Sequence, residues 1–146
     1  MTNKDRKLLV LDLSSRIYYG VKLQVHLQYG DNGHKEGIYD AELNTIDSLG
    51  FCDVTYYDEN GKTRDWTFAI DEVKPYLRRI SEITEKELLD LENETGAKFY
   101  DYHISFPDDT YYTYECDWVQ VFDWLNKHEF DYRNLIDLGL AIEIKS

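Results

Sequence analysis

Apolar and polar residues alternate strictly over residues 21–29, which is the clearest local pattern in the chain. The odd-numbered positions hold Val, Leu, Val, Leu and Tyr, while the even-numbered positions are Lys22, Gln24, His26 and Gln28. Because successive side chains of a strand point to opposite faces, this pattern predicts a strand with one buried face.

Three further strands are predicted from β-rich runs separated by turn residues. They occupy residues 37–43, 51–57 and 63–70. Segments 30–33 and 58–61 both end in Asn-Gly, a dipeptide that favours tight hairpin turns. Four strands with short connections predict an antiparallel meander, which is compatible with an SH3-like partial barrel. Residues 71–75 are then predicted to leave the sheet.

Two helices are predicted before the last third of the chain. Leucine or isoleucine recurs every four residues within segment 4–17, a spacing typical of an amphipathic helix. Thr84 and Glu87 have the spacing of a capping box, in which each side chain satisfies a backbone amide at the helix start. A middle helix is therefore predicted over residues 85–93, with Gly96 ending it.

The last third of the chain is predicted to contain a hairpin followed by helices. The predicted elements are strands at 98–106 and 110–115, helices at 117–127 and 132–138, and a terminal strand or tail at 140–144. Together with the earlier elements they predict an α+β fold in a single domain, residues 1–146. An N-terminal helix, a middle helix and C-terminal helices would accompany the antiparallel sheet.

Composition agrees with one globular domain in the cytoplasm. Of the 146 residues, 42% are hydrophobic, 31% are charged and 15% are aromatic, whereas disordered chains are poor in aromatic residues. Purely apolar stretches are at most four residues long, against about 20 needed to cross a bilayer. Asp12 interrupts the N-terminal apolar run, which is too short for a secretory signal. We therefore expect a cytoplasmic protein without a membrane segment.

The charge balance favours a protein partner over a nucleic acid. Sixteen Lys and Arg residues against 29 Asp and Glu residues give a formal net charge of −13. Nucleic-acid grooves work by neutralising phosphates with basic side chains, so direct binding of DNA or RNA is disfavoured. An acidic surface increases solubility, and it can also dock on a basic protein or imitate a nucleic acid.

Motifs that would indicate chemistry are missing from the sequence. Cys52 and Cys116 lack zinc-ligand spacing, and no phosphate-binding, dinucleotide or metalloprotease motif is present. The tightest His/carboxylate group in the sequence comprises His128 and Asp131. We interpret His128 as part of the end of one helix and Asp131 as the cap of the next. We expect no cofactor, no metal and no catalytic residue; an enzyme with an unrecognised site near His103, His128 and Asp131 is the less favoured class.

A tyrosine-rich run is the most unusual composition in the chain. The candidate interaction residues are Tyr111, Tyr112, Tyr114, Trp118, Asp108 and Asp109. Aromatic rings with a polar tip are favoured at protein interfaces, and the neighbouring carboxylates suit a basic partner. The competing interpretation is a hairpin strand that buries alternate rings against the sheet. A homodimer formed through this run is a further alternative.

Three segments carry a family resemblance. They are residues 12–22 (DLSSRIYYGVK), 70–81 (IDEVKPYLRRIS) and 124–143 (WLNKHEFDYRNLIDLGLAIE). In these segments the chain resembles a family of small proteins from gut anaerobic bacteria, their prophages and their phages, which has no assigned activity. The resemblance implies a shared fold and no catalytic residue. The leading functional prediction is a small acidic protein-binding or adaptor protein of phage or mobile-element origin. The alternatives are an enzyme and a small-barrel nucleic-acid-binding module.

Overall fold

The computed structural model of the protein describes residues 1–30, 33–97 and 118–145. Its helices are α1 (Asn3–Arg16), α2 (Glu85–Thr95) and α3 (Trp118–Lys127). Its strands are β1 (Lys22–Leu27), β2 (Gly37–Ile46), β3 (Phe51–Tyr57), β4 (Thr63–Ala69), β5 (Val73–Arg79), β6 (Phe130–Asp131) and β7 (Ile142–Glu143). Short 3-10 turns at Ile17–Tyr19, Ile70–Glu72 and Ile80–Glu82 join some of these elements.

The strands form one open, mostly antiparallel sheet. Its order is β4-β3-β2-β1-β5-β6, and β7 pairs with β5 away from this path. Strands β1 to β4 are the predicted meander, and β5 pairs antiparallel with β1, while β6 and β7 pair parallel with β5. The predicted α+β class and N-terminal helix are confirmed. The sheet does not close, so the described strands form no barrel.

Strand β5 corrects the prediction that residues 71–75 leave the sheet. Leu23 lies opposite Pro75 and Val25 lies opposite Val73, so the chain re-enters the sheet at once beside β1. A proline cannot donate to a strand ladder, which favours an exit. Here β1 and β5 pair over only three residues each and Pro75 is the last of them, so the missing N–H disrupts little.

The predicted helix at 132–138 is also wrong. These residues form hydrogen-bonded turns, in which the amide of Leu138 donates to the carbonyl of Asn134 at 3.2 Å. Asn134 has a φ of 62°, in the left-handed region, and this conformation interrupts a right-handed helix. The predicted terminal strand is present as the two residues of β7.

Local capping signals set both ends of α2, as predicted, and the start of α1, where no cap was predicted. Thr84 and Glu87 form the expected capping box at the start of α2, and Gly96 ends the helix with a left-handed φ of 74°. Thr2 and Asp5 form a second capping box at the start of α1. The predicted helix at 117–127 is confirmed from Trp118 onward as α3.

Hydrophobic side chains form two core clusters on different parts of the sheet. In the first, Leu9 and Leu13 of α1 pack against Leu23, Val25 and other residues from one face of the meander, the inner face. The second lies where α2, α3 and β6 meet. It comprises Leu88, Leu91, Ala97, Val121, Trp124, Leu125 and Phe130. Each fully buried leucine or phenylalanine contributes about 1.5–3 kcal/mol, so both clusters stabilise the fold.

A buried ionic network joins α1 to the C-terminal turns. The Asp12 carboxylate accepts from Arg16 Nε at 2.9 Å and from Arg133 Nη1 at 2.8 Å. Arg16 Nη2 also donates to the carbonyl of Phe130 at 2.7 Å. Asp12 is fully buried and Arg16 is 2% exposed, so the network lies inside the protein. It connects residues 12–16 with residues 130–133, which lie more than 110 positions away in the sequence.

Candidate functional site

The second face of the sheet, here called the outer face, is left open by α1. Strand alternation places its residues there, because their neighbours in sequence point to the inner face. The exposed or half-buried residues of the outer face are Lys22, Gln24, His26, Ile38, Asp40, Glu42, Asn44, Phe51, Asp53, Thr55, Tyr57, Asp65, Thr67, Lys74 and Tyr76. This surface is the broadest candidate for contact with another molecule.

Hydrogen bonds hold two outer-face carboxylates in place. Asp53 accepts from Thr67 Oγ1 at 2.6 Å and from Thr45 Oγ1 at 2.9 Å. The bond from Thr67, and to a lesser extent the bond from Thr45, lowers the pKa of Asp53 below its usual value. Thr55 Oγ1 also donates to Asp65, at 2.7 Å. Both carboxylate groups are therefore held in position on the outer face.

A depression of about 390 Å³ crosses the outer face and is here called the tyrosine groove. It is lined by Lys22, Leu23, Asp40, Ala41, Glu42, Tyr57 and Tyr76. Leu23 and Ala41 send their side chains to the inner face, so the floor of the groove is largely strand backbone. The polar and aromatic members stand on the outer face and form its walls.

Tyr76 sets the shape of the tyrosine groove. Its hydroxyl donates to Asp40 Oδ1 at 2.6 Å, so the ring reaches from β5 across β1 to β2. Burial and then the bond to Asp40 raise the pKa of Tyr76, so the hydroxyl remains a donor at neutral pH. In the register of β1 and β2, Glu42 lies opposite Lys22.

A second depression of about 270 Å³ lies further along the same face. Asn44, Asp53, Asp65, Trp66 and Thr67 are among its lining residues. It combines two carboxylates with hydroxyl and amide groups, whereas the Trp66 side chain points to the inner face, where it packs on the first core cluster. The outer face thus presents a pair of carboxylates at two places, and only the tyrosine groove adds aromatic rings.

A third depression, of about 230 Å³, lies beside Arg79, Asp131 and Asn134 and is a weaker candidate for ligand binding. The Arg79 guanidinium donates to Asp137 at 2.8 Å and to Glu143 at 3.0 Å. Both nearby acids therefore already neutralise its charge, and the depression presents no available cation for an anionic ligand.

The predicted interaction residues are placed only in part. Tyr111, Tyr112, Tyr114, Asp108 and Asp109 lie outside the described residues, so their role stays a prediction. Trp118 begins α3, half-buried. Its ring centroid lies 5.7 Å from that of Phe122, and both rings pack on the second core cluster. Trp118 therefore has a structural role at least.

The His/carboxylate group of the C-terminal region is structural. Asp131 accepts from the backbone amides of Leu135 at 3.0 Å and Ile136 at 2.9 Å, so it caps the turns that replace the predicted helix. His128 follows α3, with its ring centroid 4.0 Å from that of Trp124. Burial lowers the pKa of His128 and favours its neutral form. His103 lies outside the described residues.

Sequence reasoning missed the outer face as a site because it placed β5 outside the sheet. Without that strand, Tyr76 has no position beside Asp40. The available signal was the strand pattern itself, since residues 73, 75 and 77 are apolar or proline while 74, 76 and 78 are polar or aromatic. The sequence also gave no sign that His34 Nδ1 lies 2.7 Å from the hydroxyl of buried Tyr56.

Cys52 is not placed for nucleophilic chemistry. Its side chain is fully buried, and desolvation followed by the nearby Asp47 and Asp53 charges raises its pKa to about 12. A thiol in such surroundings stays protonated at neutral pH. Cys116 lies outside the described residues.

Within residues 1–30, 33–97 and 118–145, no group of three or more His, Cys, Asp or Glu residues is placed to hold a metal ion. No helix in the same ranges has the length and hydrophobicity needed to span a bilayer. Comparison with protein-family models, with curated proteins and with solved structures gives no match.

Proposed function

We propose that the protein is a small acidic protein-binding or adaptor protein that docks on a positively charged partner through its outer face. The family resemblance supports an origin in a phage or mobile element and action inside the bacterial cell. The observation that carries the proposal is an open sheet face whose carboxylates are held in fixed positions next to exposed apolar side chains.

Charge supports a basic partner. Four outer-face carboxylates, those of Asp40, Glu42, Asp53 and Asp65, outnumber the two lysines of the same face. The whole chain carries a formal charge of −13, which attracts a basic protein over a distance and repels nucleic-acid phosphates. Complementary charge mainly raises the association rate and selects the partner.

Exposed apolar groups supply the part of an interface that charge does not. Ile38 is 62% exposed, Phe51 is 50% exposed and Tyr57 is 41% exposed, and all three stand on the outer face. Protein interfaces combine such anchors, aromatic ones above all, with a polar rim. The outer face has both components on one rigid sheet, so it needs no rearrangement to bind.

Binding to fluorescein-labelled hexa-arginine and hexa-lysine, followed by fluorescence anisotropy, tests the proposal. The variant Asp40→Asn/Glu42→Gln removes two outer-face charges, and Asp90→Asn/Glu94→Gln removes the same two kinds of charge from exposed positions of α2. We expect the outer-face variant to bind roughly fivefold more weakly and the α2 variant to bind nearly as wild type.

The same titration at higher salt provides a second criterion. Raising sodium chloride from 0.05 to 0.5 M shortens electrostatic screening to a few ångströms, and we expect binding to weaken steeply. Equal losses in the two charge variants would show that the peptides sense only net charge. That result, or the absence of binding to either peptide, would contradict docking through the outer face.

A further inference from the structure

We infer that the tyrosine groove is a subsite for one arginine side chain of the basic partner. This inference rests on the proposed function and adds the kind of residue that the groove recognises. Three features carry it: aromatic walls, two carboxylates that form no ion pair within 4.0 Å with any described residue, and a volume suited to a single long side chain. Lys22 also lines the groove, opposite Glu42, so the two carboxylates leave one negative charge in excess there.

The two tyrosines flank the same carboxylate. Ala41 lies opposite Tyr56 in the β2–β3 register, so the next outer-face position places Tyr57 beside Asp40. Tyr76 approaches Asp40 from the other side through its hydroxyl, at 2.6 Å. A group bound at Asp40 therefore lies between two phenol rings, which attract a cation electrostatically through their faces.

The carboxylates retain unused acceptor capacity. Asp40 receives the Tyr76 hydroxyl on Oδ1, and Oδ2 accepts no hydrogen bond from the part of the chain that the structure describes. Glu42, two positions along β2, forms no ion pair within 4.0 Å with any described residue. Strand geometry separates their Cα atoms by about 7 Å, a span that two ends of one guanidinium can bridge.

These features favour arginine over lysine. A guanidinium is planar, offers five N–H donors in a fixed fork, and stacks on aromatic rings, whereas a lysine ammonium is a compact, strongly hydrated charge. The groove volume of about 390 Å³ is near the lower end of ligand sites, which run from about 300 to 1,000 Å³. It accommodates one extended side chain rather than a helix.

Comparing the two peptides on tyrosine variants tests the inference. Hexa-arginine and hexa-lysine carry equal charge, so a difference between them reports the guanidinium. We expect wild-type protein to prefer hexa-arginine by about three- to tenfold, and Tyr57→Leu to reduce that preference to less than twofold. Tyr29→Leu is the matched control, because Tyr29 is 84% exposed and lies outside the groove, and it should keep the preference.

The possible results bear differently on the arginine subsite and on the docking proposal. If both peptides bind equally and depend on the outer-face carboxylates, the arginine subsite is wrong and the docking proposal stands. If the arginine preference survives in Tyr57→Leu, the guanidinium is recognised elsewhere and the inference is overturned. If neither peptide binds wild-type protein, both proposals fail together. Far-UV circular dichroism confirms that each variant is folded.

Discussion

Neutralising Asp12 should destabilise the protein more than most single substitutions would. Asp12 is fully buried and receives charged hydrogen bonds from Arg16 and Arg133. Asp12→Asn keeps the size of the side chain and one acceptor oxygen, so its main effect is to remove the negative charge. Two arginines, 2% and 18% exposed, then lose their common counter-charge.

The size of the loss follows from burial. Removing one partner of a buried ion pair costs about 3–5 kcal/mol, because a charge is left without compensation in a medium of low polarity. Arg16 Nη1 already lacks a hydrogen-bond partner among the described residues, so no spare contact relieves the remaining charge. For a domain whose total stability is about 5–15 kcal/mol, the melting temperature should fall by roughly 6–20 °C.

A second arginine–aspartate pair in the same chain provides the control. Arg6 donates to both carboxylate oxygens of Asp71 at 2.9 Å, but these side chains are 43% and 42% exposed. Water and salt screen an exposed pair, so Asp71→Asn should cause only a small fraction of the Asp12→Asn effect. Thermal and urea unfolding, followed by tryptophan fluorescence and circular dichroism, compare the two variants directly.

Equal losses in the two variants would refute the reasoning, because both aspartates form a two-point pair with one arginine, and the Asp12 pair is buried and has a second arginine as well. If Asp12→Asn does not fold, Arg133→Gln alone should still destabilise the protein more than Asp71→Asn does, because Arg133 is 18% exposed and Arg6 is 43% exposed. If Asp12→Asn folds, a double-mutant cycle with Arg133→Gln measures the coupling directly. We expect Arg133→Gln to be less harmful in the Asp12→Asn background than in wild type. A coupling energy near zero, instead of about 0.5–3 kcal/mol, would show that the two residues act independently.

Two further predictions concern a helix contact and a turn. The hydrogen bond from Arg78 lowers the pKa of Glu87 from an ordinary 4.5 to about 2. The ionised Glu87 therefore stabilises the folded state at neutral pH, and this stabilisation is lost as the pH falls from about 4.5 to about 2. The gap in unfolding free energy between wild type and Glu87→Gln, about 1–2 kcal/mol at pH 7, should therefore close over that window in urea titrations, and a gap that stays constant would contradict the assignment. Gly50→Ala should lower the free energy of unfolding by at least about 1 kcal/mol more than Gly61→Ala does. Both glycines have a left-handed φ, of 90° and 76°, so the backbone strain is similar. Only at Gly50, of these two, would an added Cβ meet a neighbour, the Ile70 Cβ at 3.1 Å. Equal losses in urea unfolding would show that the turn can shift away from that contact.

Elements with strong local signals were predictable from the sequence. Strand β3 has the predicted bounds, and β1 follows the strict alternation of its apolar residues. Helix α2 begins and ends where its capping box and Gly96 indicate. In each case the signal lies within a few neighbouring residues, so no knowledge of distant partners is needed.

Elements that depend on distant partners were not predictable. Strand β5 forms because the edge of β1 is available for pairing. Taken alone, Pro75 predicts that the chain leaves the sheet, and only the three-residue pairing with β1 explains why it does not. The turns at 132–138 are a local exception: Asp131 accepts three nearby backbone amides and Asn134 is left-handed, and the apolar spacing of this segment indicates neither. The candidate site has the same limitation, since the acidity was visible in the composition but the pairing of Tyr76 with Asp40 was not.

The chain itself contains a model for the interaction that the tyrosine groove offers. Arg78 donates to both oxygens of Glu87, at 2.6 and 2.9 Å, with its guanidinium carbon 4.4 Å from the centroid of the Phe130 ring. The groove presents the same parts, a carboxylate beside an aromatic face, without an arginine of its own among the described residues.

The comparison also limits what the groove can achieve alone. The internal pair is 20% and 24% exposed, whereas Tyr57 at the groove is 41% exposed, so water screens a bound guanidinium more strongly there. A single arginine would therefore bind weakly, and useful affinity requires that the partner covers more of the outer face. The second depression, with Asp53 and Asp65 fixed by hydrogen bonds, offers a second point for a basic side chain. A partner with two spaced basic residues gains from both, and only the one in the groove needs to be arginine.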